Sequence, residues 1–401
     1  MPLSVLSSRW RFPSLISAPP AAGASPGTGP GHTRLYVLDG LRLGAALSVL
    51  LFHYVGKPVG WEQAWRGAPD KLLPGVHAVA LYGWLGVELF FLISGFVICM
   101  SCWGKRPRDF LVSRLIRLYP AYWVAVLITS VVVVAAGYPF STVKDITART
   151  VLINLTMLQQ PYGATAIDPS YWTLWVEMLF YLLFAVVVAM GLTYRRVVAF
   201  CGIWTFAAAI APSVGLPLLD TLTQPAYAPL FVAGVTIYLM HRFGANLLLW
   251  GLLGFSWLAA QYRLEGSVQM YQQWLPEHIS WSRSVAVMTC CFLLVLGAAL
   301  GAFDWIQWRW LTLAGALTYP VYLLHQEVGL TMIGWLRQRL APAPTLAMVT
   351  VGVLVLAWLV HRLVERPLSR VLKRGLTVSF ESFATDDGDL LARAGRVRST
   401  P

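Results

Sequence analysis

Long apolar runs alternate with short polar segments over most of the chain. Each run is long enough to cross a bilayer of about 30 Å as a helix. We place ten such runs at residues 36–56, 79–101, 118–137, 171–191, 197–214, 225–241, 245–262, 283–302, 313–335 and 345–364. The pattern predicts an all-α polytopic membrane protein with about ten transmembrane helices.

The two ends of the chain differ in composition from the part between them. Residues 1–33 are rich in Pro, Gly, Ala and Ser and contain no apolar run typical of a secretory signal. We predict a flexible cytoplasmic segment there and a transmembrane domain over residues 34–367. The chain is polar after this domain, and we expect residues 368–401 to form a largely disordered cytoplasmic tail.

Composition and charge support this interpretation. Apolar residues make up 57% of the chain and charged residues 12%, whereas about 25% of residues are charged in an average soluble protein. The net charge of +12 comes from short basic clusters between apolar runs, a pattern that favours membrane topology over nucleic-acid binding. If both termini are cytoplasmic, about twice as many basic residues lie inside as outside, as the positive-inside rule requires.

The first apolar run contains an arginine and a histidine that share a helix face. Arg42 and His53 are eleven positions apart, which corresponds to about 20° around a helix and a rise of about 16 Å. Arg42 could hold an anion near the cytoplasmic mouth while His53 transfers a proton deeper in the membrane. A snorkelling arginine and a hydrogen-bonded core histidine are the structural alternative.

Other polar groups lie at or near the same helices. Asp39 precedes Arg42 by three positions, and Glu88 lies within the second run, where it could pair with a cation or stay protonated. Ser94 precedes a glycine, and small residues allow a neighbouring helix to approach closely. We consider Asp39, Glu88 and Ser94 possible lining residues of a functional site.

A basic segment follows the second run and ends in Arg114 and Arg117. These arginines share a helix face and could bind the phosphates of a cytoplasmic donor. Ordinary positive-inside charge is the alternative. Lone Cys99 and Cys102 have no second pair at metal-site spacing, and we predict no metal site.

The fourth and ninth runs supply further candidates. Glu177 and Tyr181 share a face of the fourth run, which begins at Tyr171. Glu177 could orient a histidine, accept a proton or form an interhelical hydrogen bond. In the ninth run, His325 could be a second functional histidine or could bind a carbonyl freed by Pro320.

Five segments, in this order, resemble the motifs of the integral-membrane acyltransferase family 3. They cover nearly all of residues 34–367. The matching segments are Arg42 to His53, Phe90 to Gly95, Arg114 to Arg117 with the following Tyr119 to Trp123, Tyr171 to Tyr181, and Thr318 to Gln326.

The resemblance implies a multi-pass enzyme of the bacterial inner membrane that acylates sugars, glycans or macrolides. It implies acyl-CoA as a co-substrate on the cytoplasmic side, with no bound cofactor. It also implies that His53 is essential and that Arg42, Arg114 and Arg117 contribute to donor binding or site geometry. His53 could be a general base or a covalent acyl carrier, and the carboxylate beside it, such as Glu177, remains open.

A proton-coupled secondary transporter is the main alternative, since its proton relay would use the same buried His, Glu and Arg residues. Paired broken helices in two related halves would be expected of it. The sequence shows no such halves. We therefore favour an O-acyltransferase with partners restricted to acyl-CoA, a hydroxylated acceptor and the lipid bilayer, without nucleic acid.

Overall fold

A computed structural model describes residues 35–57, 61–137, 141, 143–144, 146–273, 275 and 277–374. Throughout these residues the regular structure is helical, as predicted. The predicted N-terminal segment 1–33 and the tail after residue 374 lie outside the described residues. Residues 368–374, which were expected to belong to a disordered tail, instead extend the last helix to Arg374.

Sixteen α-helices follow one another along the described chain. The first eight are α1 (Tyr36–Leu51), α2 (Glu62–Trp65), α3 (Pro69–Leu72), α4 (Pro74–Ala80), α5 (Gly86–Cys102), α6 (Pro107–Ala135), α7 (Ala148–Leu155) and α8 (Trp172–Ala189). The second eight are α9 (Tyr194–Val214), α10 (Pro217–Thr223), α11 (Ala228–Phe243), α12 (Leu247–Gln272), α13 (Trp281–Ala299), α14 (Leu311–Leu324), α15 (Gln326–Leu336) and α16 (Pro342–Val360).

Seven helical segments among the described residues are long and apolar enough to cross a membrane. They are Tyr36–Gly56, Pro74–Cys102, Pro107–Ala135, Pro169–Ala189, Tyr194–Val214, Trp281–Ala299 and Pro342–Arg374. The predicted runs at 225–241, 245–262 and 313–335 correspond to α11, α12 and the α14–α15 pair, which lie outside this set. The predicted all-helical membrane fold is therefore confirmed, whereas the predicted number of ten spans is not.

Helix α11 forms the centre of the bundle because it is apolar on all sides. Every residue from Ala228 to Met240 is buried, as expected for a helix without a polar face. Gly95 of α5 and Gly234 of α11 bring these two helices into backbone contact. A Cβ on Gly95 would overlap the carbonyl oxygen of Phe231. The predicted close approach at the Ser94–Gly95 step is thus present.

The predicted ninth helix is broken in two at His325. Helix α14 ends at Leu324 and α15 begins at Gln326. The backbone carbonyl of His325 accepts a hydrogen bond from the Tyr54 hydroxyl at 2.7 Å, and the backbone N–H of Glu327 donates to the Asp168 carboxylate at 3.2 Å. These side chains from other parts of the chain form hydrogen bonds with backbone atoms at the break and stabilise it.

Arg114 and Arg117 lie inside a helix rather than in the loop that precedes it. Helix α6 begins at Pro107, eleven residues before the predicted third run, because a proline is favourable at the first helical position. Near the other end of the described chain, His361 Nδ1 lies 2.8 Å from Glu365 Oε2, one helical turn away.

Candidate active site

Three adjoining cavities lie among α1, α5, α8 and α14. The arginine cavity has a volume of about 40 Å³ and is lined by Arg42, Ile93, Ser94, Val97, Ile98, Arg114, Arg117, Leu118, Glu177, Tyr181 and Tyr319. The middle cavity, about 60 Å³, is lined by Arg42, Val87, Phe90, Phe91, Ser94, Thr173, Leu174, Glu177, Thr318, Tyr319 and Tyr322. The histidine cavity, about 290 Å³, is lined by Val49, Phe52, His53, Lys57, Trp84, Val87, Pro169, Ser170, Trp172, Tyr227, Met270, Tyr271, Tyr322 and Gln326.

Shared wall residues show that the three cavities form one row. Arg42 and Glu177 belong to both the arginine and the middle cavity. Val87 and Tyr322 belong to both the middle and the histidine cavity. The structure thus brings Arg42 and His53, which the sequence placed on one helix face, to the two ends of this row.

A hydrogen bond joins His53 to His325. The His53 Nδ1 and His325 Nε2 atoms are 2.8 Å apart, and His325 Nδ1 lies 2.6 Å from the Tyr322 carbonyl oxygen. A carbonyl can only accept, so His325 carries its proton on Nδ1 and its Nε2 accepts from His53 Nδ1–H. His53 Nε2 is then an unprotonated lone pair, and it has no hydrogen-bond partner within the described part of the chain. This is the form that a general base requires.

The backbone around His53 departs from the α-helix. Residues Phe52–Gly56 form a π-helical turn, closed by a 2.8 Å hydrogen bond from the Lys57 N–H to the Phe52 carbonyl. Side chains of α2 and α4 bind the carbonyls of two residues in this turn. Trp65 Nε1 donates to the Tyr54 carbonyl, and His77 Nδ1 lies 2.8 Å from the Val55 oxygen. Such turns often occur at functional sites, and this one fixes the His53 ring at the cavity wall.

The arginine cavity combines three cations with one carboxylate. Arg42 comes from α1, whereas Arg114 and Arg117 come from α6. Glu177 Oε1 accepts hydrogen bonds from Ser94 Oγ at 2.8 Å and from Tyr181 Oη at 2.6 Å. The net positive charge of this enclosure suits an anionic ligand such as a phosphate.

This geometry separates the alternatives left open for Glu177: its carboxylate does not contact His53 and forms an interhelical hydrogen bond with Ser94. The Glu177 carboxylate is bonded to Ser94 and Tyr181 and shares no cavity wall with His53. Helix α8 places it beside the arginines instead. The partner of His53 is His325, which the sequence suggested only as a further histidine. The Pro320 alternative is wrong, because His325 binds the Tyr322 carbonyl.

The remaining predicted lining residues divide into two groups. Ser94 and Tyr181 line the cavities. Asp39 and Tyr171 do not: Asp39 packs against Gly315, and Tyr171 donates at 3.2 Å to the Leu323 carbonyl. Glu88 is buried outside all three walls. These three residues lie outside the walls of the three cavities.

An acidic pair behind the histidine cavity was not predicted. Asp168 Oδ1 accepts from the Ser170 N–H at 2.8 Å and from the Ser170 hydroxyl at 2.6 Å. Burial, together with the charge of nearby Glu327, raises the pKa of Asp168 above its ordinary value. Ser141 Oγ donates to Glu327 Oε2 at 2.6 Å. Asp168 marks the start of the fourth predicted helix, but nothing in the sequence connects it to Glu327.

Aromatic residues form much of the histidine cavity, and most of them also lacked a clear sequence signal. The Trp84 and Tyr271 ring centroids are 4.6 Å apart, and those of Trp172 and Tyr227 are 5.2 Å apart. Trp172 belongs to the fourth-helix motif. Tyr271 reaches the site because α12 continues ten residues beyond the predicted run.

Comparison with known proteins identifies the family of the chain. A family model described as an acyltransferase domain matches residues 35–362. The chain belongs to the integral-membrane acyltransferase family 3. It is therefore an acyltransferase and a multi-pass membrane protein.

Two curated relatives support this assignment. Acyltransferase MdmB of Streptomyces mycarofaciens is 29% identical over 208 residues, so the alignment spans 50% of this chain and 50% of that protein. Nodulation protein 10 of Rhizobium leguminosarum bv. viciae is 26% identical over 336 residues, or 74% of this chain and 84% of that protein. No solved structure matches the chain.

Proposed function

We propose that this acyltransferase moves a short acyl group, such as acetyl, from acyl-CoA to a hydroxyl of a carbohydrate or of a glycosylated or macrolide secondary metabolite. The observation that carries the proposal is the His53–His325 pair, which presents an unprotonated Nε2 at the end of a row of cavities that begins at three arginines. The enzyme would act in the bacterial inner membrane, with the arginine end facing the cytoplasm.

The shape of the row suits the two substrates. Arg42, Arg114 and Arg117 would bind the phosphates of CoA by charge-assisted hydrogen bonds. The middle cavity, about 60 Å³, joins the arginine and histidine cavities and would hold the linear pantetheine arm. The helical rise from Arg42 to His53 is about 16 Å, so an extended arm can carry the thioester to the histidine cavity.

The acceptor would enter the histidine cavity from the opposite end. This cavity is several times larger than the other two. Its walls combine the faces of Trp84, Trp172 and Tyr271 with polar groups. Aromatic rings with a polar edge are suited to ligands that present both apolar faces and hydroxyls, which fits a sugar or a glycosylated molecule.

The reaction then follows general base catalysis. A neutral hydroxyl is a weak nucleophile, and His53 Nε2 takes its proton as the oxygen attacks the thioester carbon. When the C–S bond breaks, the imidazolium returns the proton to the departing CoA thiolate. His325 holds the His53 ring in the required tautomer throughout, a role that a carboxylate has in a catalytic triad.

Release of CoA thiol from the protein purified in detergent tests this proposal. A panel of short acyl-CoAs is supplied with and without a pool of sugars and macrolides. Wild type should release thiol only with acceptor, and His53→Ala should lose this activity. His278→Ala is the matched control, because His278 is exposed and outside the cavities.

Two results would contradict the proposal in different ways. Equal release by wild type and His53→Ala would remove His53 from the mechanism and leave the enzyme class intact. Failure of wild type to bind any acyl-CoA would exclude acyl-CoA as the donor.

A further inference from the structure

Gln326 is a buried amide beside the reacting histidines that has no hydrogen-bond partner in the described chain. It is the first residue of α15, follows His325 directly, and is 3% exposed. Its Oε1 atom is enclosed by protein and accepts no hydrogen bond. Buried side-chain amides are nearly always hydrogen-bonded, since an unmet group costs free energy. The side chain of Gln326 is not held by hydrogen bonds of its own oxygen, and its Nε2 is the atom that a molecule in the adjoining cavity can reach.

The Gln326 amide can reach a molecule in the histidine cavity only through its nitrogen. The side chain lines the histidine cavity together with His53. Because Oε1 is enclosed, the NH₂ group is the polar edge that remains for a molecule in the cavity. An NH₂ group can only donate. Its natural partner is therefore an oxygen that becomes more negative during the reaction.

The Gln326 amide is a neutral donor that lies next to the acidic pair of Asp168 and Glu327. Gln326 is the first residue of the eleven-residue α15, which follows α14 directly through His325 in helical conformation. Lys57 also lines the cavity, although its interaction with Glu327 already engages its charge. Gln326 is thus a neutral donor without a competing partner, held in place by a helix.

We infer that the Gln326 amide donates a hydrogen bond to the thioester oxygen as it becomes an oxyanion, which makes Gln326 a catalytic residue. This rests on the proposed function. As the acceptor oxygen bonds to the thioester carbon, the carbonyl electron pair moves to that oxygen and the hydroxyl proton moves to His53 Nε2. The carbonyl then re-forms, the C–S bond breaks, and the CoA thiolate takes the proton. Donors aimed at such an oxygen act chiefly in the transition state.

Two substitutions separate donation from packing. Gln326→Met keeps the approximate length and removes the amide, and Gln326→Leu removes the amide with a branched apolar side chain. For both variants we expect kcat for acceptor-dependent thiol release to fall about 10²–10³-fold, with unchanged KM values for acyl-CoA and acceptor.

Gln261→Met is the matched control. Gln261 is also a buried glutamine with an unpartnered Oε1, but its Nε2 contacts the Met288 sulfur 3.8 Å away and it lines none of the three cavities. This variant should keep the wild-type kcat. Unchanged acyl-CoA affinity in the Gln326 variants shows that they are folded.

Several results would overturn the inference. Wild-type kcat in Gln326→Met and Gln326→Leu would do so, as would a raised KM for the acceptor at constant kcat, which would make Gln326 a ground-state binding residue. An equal loss in Gln261→Met would assign the effect to packing. Wild type without acyl-CoA activity would instead refute the proposed function.

Discussion

In the proposed mechanism, the reactivity of His53 depends on a hydrogen bond to a residue 272 positions away in the sequence. The Tyr322 carbonyl fixes the proton of His325 on Nδ1. The unprotonated Nε2 of His325 then fixes the proton of His53 on its own Nδ1. Fixing the correct tautomer matters greatly in other histidine-based sites: its loss in a catalytic triad lowers kcat about 10⁴-fold. His325 is therefore a positioning residue, since it acts through His53.

Substitution of His325 tests this role. Gln can place its Oε1 near the position of His325 Nε2 and accept the proton of His53 Nδ1, whereas Met cannot accept it effectively. We expect His325→Met to lower kcat by about 10³–10⁴-fold and His325→Gln to retain much more activity, both with unchanged KM for acyl-CoA. Steady-state kinetics of the two variants measure this difference. Equal losses in Gln and Met would show that the hydrogen bond to His53 is not what His325 supplies.

The arginine cavity gives a second prediction for individual residues. Removing Arg114 and Arg117 together takes away two charge-assisted contacts to phosphate, each with a net value of about 1.5–3 kcal/mol. The KM for acyl-CoA should rise at least about tenfold, and its dependence on ionic strength should weaken, because fewer charges attract the donor. Titrations of acyl-CoA at two salt concentrations measure both effects.

Arg106→Ala is the control for the arginine pair, because Arg106 belongs to the same basic segment but is exposed and outside the cavity. It should keep the wild-type KM. An unchanged KM in the double variant would exclude Arg114 and Arg117 from donor binding.

The sequence predicted some of these residue relations and not others, for a physical reason. Helical periodicity relates Arg42 to His53 because both lie on α1, and it relates Glu177 to Tyr181 on α8. The pairing of His53 with His325 and of Glu177 with Ser94 depends on how separate helices pack. Periodicity within one helix carries no information on that packing, so the sequence left open which group lies beside His53.

At the level of helices, glycine contacts determine how closely α5 and α11 pack. A Cβ on Gly234 would overlap the Leu92 carbonyl oxygen and lie 2.8 Å from the Phe96 nitrogen. These are backbone atoms, which cannot move aside like the end of a flexible side chain. The bundle therefore depends on glycine at this position.

We predict that Gly234→Ala destabilises the protein by about 1–3 kcal/mol or more, the cost of overpacking a core. Thermal unfolding in detergent should show a lower midpoint. Gly254→Ala is the control, since Gly254 is an exposed helical glycine with open space around its Cβ position. Alanine is the better helix former there. Equal midpoints for wild type and Gly234→Ala would contradict the packing described for α5 and α11.

The ends and breaks of the helices were harder to predict than their existence. All ten apolar runs correspond to helices, but the break at His325 depends on Tyr54 and Asp168, which come from other parts of the chain. The π-helical turn after α1 likewise depends on Trp65 and His77. A hydropathy pattern cannot show these contacts, because they involve single polar atoms.

For the whole molecule, the row of cavities gives the site two different ends. Three arginines stand at one end and an aromatic chamber with His53 at the other, and the excess of basic residues predicts which end faces the cytoplasm. The family could be inferred from the sequence, because its motifs occur in order along the chain. The cavities could not, since each has walls from several helices.

Transfer of a labelled acyl group tests the central claim most directly. Purified protein would receive ¹³C-acetyl-CoA and the acceptor pool, and mass spectrometry would follow the label while released CoA thiol is counted. The account predicts one labelled hydroxyl ester for each thiol released by wild type and His278→Ala, and neither product from His53→Ala. Thiol release without a labelled ester, or labelled ester formed by His53→Ala, would contradict it.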